Sequence, residues 1–274
     1  MDTMTSKRGN AGDGGAAVPL RGTETVVQAI APRDIERALA RGRLRVHYMP
    51  TIEIATGRCV GAEALLRWPT QEGGFVAPDD FIPLAEASGL AEALTAYVIR
   101  CVAADLGALL RVRPDLHISI NIPPQTVGSG VGNRVAAETG LADIKGQLIA
   151  EITERQALTK AGQAVMNENR RDGLKVAVDD FGTGHSGLAQ LIDLEVDYLK
   201  IDRSFVDALQ TARGVKLMRA TWAAADVLGV ELIAEGVETA RQAEILGDIG
   251  VAYGQGWHWS RDLPAADFCR FAER

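Results

Sequence analysis

The stretch QLIAEITERQALTKAGQAVMNENRRDGLKVAVDDFGTG, residues 147–184, holds the pattern from which the fold is read. A short apolar run at 147–152 is followed by an amphipathic stretch at 156–171, then by Gly173 and a second apolar run at 174–178. That order is the signature of a βα unit wound around a parallel sheet, with glycine where a left-handed helix cap is wanted. Each run also ends in acid: Glu151 on the first, Asp179 and Asp180 on the second.

Outward from this unit the pattern repeats. Apolar runs rich in Val, Ile and Leu fall at 44–48, 59–66, 116–122, 198–201, 231–234 and 251–253, and helical patterns at 81–87, 91–110, 205–228 and 239–246. Gly89 and Gly229 stand at two further helix ends. Eight strands with helical crossovers predict an α/β barrel, and no G-x-G-x-x-G follows the first strand to favour an open dinucleotide-binding sheet. The first two runs are separated only by 51–58, too short for a helical crossover, so the first strand is expected to pair antiparallel with the second. The glycine-rich segment 126–139 predicts a short or late helix. Residues 1–30, rich in Gly, Ala, Ser and Thr, read as a flexible N-terminal tail or linker, and 31–274 as one domain.

Composition narrows the function. The 274 residues carry 29 Lys and Arg against 36 Asp and Glu, a net charge of −7, which argues against a protein that holds DNA mainly by charge. The three cysteines, Cys59, Cys101 and Cys269, have neither disulfide-framework nor zinc spacing, and a reducing, cytoplasmic setting is expected. No membrane span is expected either, because the longest apolar candidate, 97–110, is interrupted by Arg100 and Asp105 and falls short of about 18 residues.

A strand buried in a barrel should be apolar, yet these runs end in carboxylates and amides: Glu63, Asn121, Glu151, Asp179 with Asp180, and Glu235, joined by Lys200 and Gln255. The C-terminal ends of barrel strands face one another across the mouth, so residues remote in sequence converge there. Two carboxylates about 4 Å apart repel by about 4 kcal/mol at an effective dielectric near 20. Either several take up protons or cations neutralise them. Oxygen ligands suit hard divalent ions such as Mg²⁺, Mn²⁺ or Ca²⁺, and the adjacent Asp179 and Asp180 allow one of them to bridge two ions. Paired metals of that kind serve phosphodiester cleavage. Each acid also has a plain structural reading: an Asx turn for Asp179 and Asp180, a helix first-turn acid for Glu151 and Glu235. A third chemistry, Schiff-base catalysis by Lys200, is also open from these residues, although the excess of acids counts against it.

The motifs GAEALLRW at 61–68, FIPLAEASGL, EITE, DDFGTG, YLKIDRSFV, IAEGVET and QGW occur in this order, and with them the sequence resembles the EAL domain, the cyclic di-GMP phosphodiesterase family, from about Ile35 to Phe271. The resemblance implies a modified TIM (β/α)8 barrel and hydrolysis of cyclic di-GMP to linear pGpG with two Mg²⁺ or Mn²⁺ ions. It implies Glu63, Asn121, Glu151 and Asp179 as ligands of the first metal, with Asp179 bridging to a second that Asp180 also holds. Lys200 and Glu235 would hold or activate the attacking water, with Gln255 helping to fix it. Arg67 would contact phosphate, Asp202 would support the site from behind, and Glu154 and Glu238 would brace its loops. The family further implies a homodimer, and the N-terminal tail suggests an upstream sensor domain or partner protein.

Some positions depart from the family pattern. Met49 stands where glutamine is usual as a base or substrate contact, Pro123 where serine is common, and His185 and Gly187 where tyrosine and serine are common. None removes an implied ligand, so a competent enzyme is expected. The alternative, motivated by Met49 and the altered loop, is a cyclic di-GMP receptor with little or no turnover.

Overall fold

In the computed structural model, which describes residues 30–153, 160–181 and 195–274, the β-branched and Leu-rich runs form ten strands among the described residues. They are β1 (Arg45–Glu53), β2 (Arg58–Pro69), β3 (Phe75–Val76), β4 (His117–Asn121), β5 (Leu148–Thr153), β6 (Lys175–Phe181), β7 (Tyr198–Ile201), β8 (Glu231–Ala234), β9 (Tyr253–Gly254) and β10 (Leu263–Pro264). Eight of them close a mixed barrel in the order β1, β2, β4, β5, β6, β7, β8, β9 and back to β1. Strand β1 runs antiparallel to both barrel neighbours, and every other barrel pairing is parallel. The short connection at 54–57 is the cause, since only a hairpin turn spans so few residues.

Close packing fixes the register of β2 against β4. Gly61 lies opposite His117, and a Cβ at Gly61 would sit 2.3 Å from the His117 carbonyl oxygen, so only glycine lets the strands approach. Alternation along β1 sends Val46 and Tyr48 outward into a core shared with the helix Ala91–Val112, while Met49 faces inward opposite Glu63.

Around the barrel lie α1 (Pro32–Ala40), α2 (Pro78–Ala87), α3 (Ala91–Val112), α4 (Val131–Thr139), α5 (Lys160–Arg171), α6 (Arg203–Asp207), α7 (Ala212–Leu228), α8 (Ala240–Ile249) and α9 (Ala265–Ala272). Gly89, Gly173 and Gly229 all have positive φ at helix ends, the role the sequence predicts for them. The glycine-rich segment yields a helix, α4, that is both short and late.

Three expectations change. The single helical pattern 205–228 is broken: α6 ends at Asp207, and α7 starts afresh where Thr211 accepts the Gly214 N–H at 3.0 Å. A cap of that kind competes with helix continuation, which periodicity alone does not register. The pair β3 and β10 and the helix α9 were not expected; both strands are only two residues long and exist through pairing to β2 and β1. Finally, α3 is long and apolar enough, by length and composition alone, to cross a membrane despite Arg100 and Asp105. Its Leu94, Val98, Val102, Leu106 and Leu110 are buried, and Asp105 accepts the Tyr48 hydroxyl at 2.7 Å, so α3 serves here as a core helix. The proposed tail, apart from Ile30, lies outside the described residues, as do Glu154, His185 and Gly187.

Candidate active site

The strands deliver acids to one mouth of the barrel, most from their C-terminal ends, but Glu63, expected at a strand end, from the middle of β2, which runs on to Pro69. Glu63 on β2, Glu151 on β5, Asp179 on β6 and Glu235 just after β8 surround the ammonium of Lys200 on β7. The Nζ lies 3.0 Å from Glu63, 2.9 Å from Glu151, 3.1 Å from Asp179 and 2.6 Å from Glu235. Lys200 is 1% exposed. Asn121, at the end of β4, donates its Nδ2 hydrogen to Glu63 Oε1 at 2.9 Å.

Adjacent residues in a regular strand point to opposite faces, so Asp179 and Asp180 should not share a site. Strand β6 solves this with a register irregularity between Val178 and Phe181, where Asp180 takes φ of 57°. Left-handed backbone at a non-glycine residue carries strain, and here it breaks the alternation. Ligand oxygens of Asp179, Asp180 and Glu235 fall within 4.8 Å of one another, as do those of Glu63, Glu151 and Asp179. Asp179 belongs to both groups. The Asp180 N–H also donates to Asp179 Oδ1 at 2.9 Å, so the Asx contact forms inside the cluster and does not replace it.

Charge decides what this arrangement requires. Five carboxylates (−5) and one ammonium (+1) leave −4, and two divalent cations would bring the sum to zero. The Glu151 Oε1 atom is buried and has no hydrogen-bond partner. A buried carboxylate oxygen left unpaired costs free energy, and a hard cation is the partner whose chemistry fits this donor set. Without one, burial first and the neighbouring Glu63 charge second push the Glu151 carboxyl well above its ordinary range, against the pull of Lys200. Burial likewise pushes Glu235 up to about 8, with Lys200 opposing and Asp179 and Glu63 adding to it. Burial works to lower the Lys200 pKa, but Glu151, Glu235, Glu63 and Asp179 outweigh it and hold the amine firmly protonated. An amine nucleophile needs the opposite shift, which removes the Schiff-base chemistry.

The remaining predicted residues frame the cluster. Gln255 is buried at the end of β9, donating from Nε2 to Thr51 Oγ1 at 2.8 Å. Its place depends on Gly256, whose φ is 148° and whose Cβ would lie 2.2 Å from the Val237 carbonyl oxygen. Met49 is directly opposite Glu63 on the barrel-facing side of β1. Asp202 caps α6 by accepting the Ser204 N–H at 2.9 Å. Glu238 pairs with Arg203 at 2.8 Å, and the Arg203 stem lies against Gly236, which closes the loop after Glu235.

A cleft of about 530 Å³ opens from the cluster toward α2 and α3, lined by Asn121, Glu151 and Asp180 at one end and by Arg67, Ile82 and Leu94 beyond. Arg67 donates from Nε to Asp262 at 3.0 Å, and the same Asp262 oxygen is 2.9 Å from His47 Nδ1. Asp262 and His47 were missed by sequence reasoning. Position 262 is 195 residues from Arg67 and 215 from His47, and only the pairing of β10 with β1 brings them together.

Known proteins share this framework. The profile of the EAL domain matches residues 32–262. The chain is 41% identical over 247 residues to a probable cyclic di-GMP phosphodiesterase of Escherichia coli strain K12, PdeB, covering 88% of this chain and 46% of that protein. It is 34% identical over 241 residues to the cyclic di-GMP phosphodiesterase NbdA of Pseudomonas aeruginosa, covering 85% of this chain and 30% of NbdA. The chain thus spans about half, or less, of the length of the curated relatives it matches. Among solved structures, the phosphodiesterase PaMucR in complex with c-di-GMP superposes with a TM-score of 0.79 at 31% identity, over 86% of this chain and 98% of that one.

Proposed function

This chain belongs to the EAL domain family, and from that premise we propose that it is a metal-dependent phosphodiesterase that hydrolyses cyclic di-GMP to linear pGpG. The observation that carries the reading is the pair of acidic groups sharing Asp179, together with the unpartnered Glu151 oxygen, at the head of a cleft large enough for a dinucleotide. In this reading Glu63, Asn121, Glu151 and Asp179 hold one Mg²⁺ or Mn²⁺ ion, and Asp179 with Asp180 holds a second. Such ions supply Lewis-acid polarisation of the phosphodiester and an acidified water.

The chain's own residues do the rest. Lys200, fixed by four carboxylates, keeps Glu63 and Glu151 in place and offers a positive donor at the floor of the site. Glu235, the most exposed of the four carboxylates around Lys200, is suited to accept a proton from the attacking water. Arg67 presents a planar set of donors to phosphate from the wall of the cleft. Met49, opposite Glu63, offers substrate an apolar contact in place of an amide. Glu238 supports the loop that carries Glu235, and Gln255 the shell around the water; Glu154 is assigned a bracing role on the resemblance alone. A homodimer, an upstream sensor domain or partner protein, and a cytoplasmic setting complete the proposal, on the family resemblance, the composition of residues 1–30 and the cysteine usage.

The test is incubation of the purified chain with cyclic di-GMP and Mn²⁺, with an EDTA control, followed by separation of the nucleotides. Metal-dependent pGpG is expected. Cyclic di-GMP that binds and stays intact would replace the enzyme with a receptor.

A further inference from the structure

Arg67 has five N–H donors, and the structure accounts for two of them: Nε on Asp262, and one Nη1 hydrogen on the Leu66 carbonyl oxygen at 3.2 Å. The others remain for the cleft that Arg67 lines. Asp262 itself does not line that cleft. It sits between two fixed points of the chain. On one side Gly256 is pressed against Val237 and the His258 N–H donates to the Val237 carbonyl; on the other, Leu263 and Pro264 pair with Tyr48 and His47. The carboxylate is three-quarters buried and ionised: burial works against the charge, and Arg67 and His47 overcome it. Because that carboxylate is an acceptor only, His47 carries its proton on Nδ1. The His47 ring is held in turn edge-on to Phe75 at 5.4 Å.

Resting on the reading of the cleft given above, we propose that Asp262 is a positioning residue that sets the Arg67 guanidinium for a substrate phosphate, with His47 holding Asp262 from behind. A free arginine loses rotamer freedom when it clamps an anion; an arginine already tied at Nε loses less. The opposing effect, repulsion between Asp262 and the phosphate, is the weaker one here, because one Asp262 oxygen is shared by two donors and the carboxylate stands outside the cleft.

The experiment compares Asp262→Ala, Asp262→Asn and Arg67→Ala with the unaltered chain by cyclic di-GMP binding in Ca²⁺, steady-state kinetics in Mn²⁺, and the NMR signal of the Arg67 Nε–H. In Asp262→Ala the Nε–H signal should lose its protection from exchange, the Kd should rise about tenfold, equivalent to about 1.4 kcal/mol, and KM should rise more than kcat falls. Asp262→Asn, which keeps an acceptor, should recover most of the affinity. Adding Asp262→Ala to Arg67→Ala should cost nothing further. Wild-type or tighter binding by Asp262→Ala, beside weak binding by Arg67→Ala, would overturn the positioning role. Binding unaffected by Arg67→Ala would instead overturn the phosphate role of Arg67, and the Nε–H signal separates the two failures, since it reports the clamp without any nucleotide.

Discussion

Replacing Lys200 with methionine removes the ammonium that touches four carboxylates of the acid cluster, and its effect should depend on metal. Each of the four contacts, at 2.6 to 3.1 Å, corresponds to about 5–6 kcal/mol of gross Coulomb attraction between full charges at an effective dielectric near 20. Desolvation of the buried ammonium offsets most of that sum, and breaking such a network typically costs about 3–5 kcal/mol. At about 2–4 °C per kcal/mol for a domain of this size, the melting temperature in EDTA should fall by about 6–20 °C. With saturating Mn²⁺ the comparison changes, because two divalent ions bring +4 to the variant's carboxylates and offset a repulsion that in EDTA only proton uptake relieves. The fall should then shrink to less than half. The assay is thermal unfolding by circular dichroism of both proteins, with EDTA and with Mn²⁺. Equal losses under the two conditions, or a stabilised variant in EDTA, would refute the claim that ammonium and metal neutralise the same carboxylates.

Further outcomes follow from the same geometry. Glu151→Gln should cost less in EDTA than Lys200→Met, since burial and the Glu63 charge push its carboxyl upward against the pull of Lys200, yet it should lose the Mn²⁺-induced rise in melting temperature and all hydrolysis. The pH dependence has a definite sign. Because the folded-state pKa of Glu235 is raised from 4.5 to about 8, its contribution to stability is fully present below about 4.5 and is lost as pH rises through about 8. Urea unfolding in EDTA at pH 5, 7 and 9 should therefore show a steady decline that saturating Mn²⁺ flattens. Gly256→Ala should destabilise the chain by about 1–3 kcal/mol, since it meets both a positive φ and a carbonyl contact, and should lower kcat by displacing Gln255; denaturant midpoints and steady-state rates check the two effects separately. Met49→Gln should tighten cyclic di-GMP binding by adding hydrogen-bonding groups opposite Glu63, and an unchanged Kd by titration calorimetry would show the amide to be dispensable.

The barrel was legible in the sequence because its strands are buried on both sides and read as continuous apolar runs; 198–201 and 231–234 match β7 and β8 residue for residue. The closing antiparallel hairpin was legible from connection length alone. What escaped was whatever depends on a partner remote in the chain. Two-residue strands such as β10 carry no periodicity, so neither the β1–β10 pairing nor the Asp262 bridge it creates can be read locally. The acids of the site were visible as charges at the ends of apolar runs. The device that lets Asp179 and Asp180 act together was not, because a left-handed aspartate leaves no trace in composition. Lys200 shows the same division: its place in the motif was readable, and its contact with four carboxylates remote in the chain was not.

Fully ionised, the five carboxylates and Lys200 leave a deficit of four that two divalent ions would fill. Calorimetric titration of metal-free chain with Mn²⁺ in the presence of cyclic di-GMP analogue resistant to cleavage counts those ions directly. Two Mn²⁺ per chain are predicted, with at least one lost in Glu151→Gln; no bound Mn²⁺, or two sites untouched by that substitution, would contradict it.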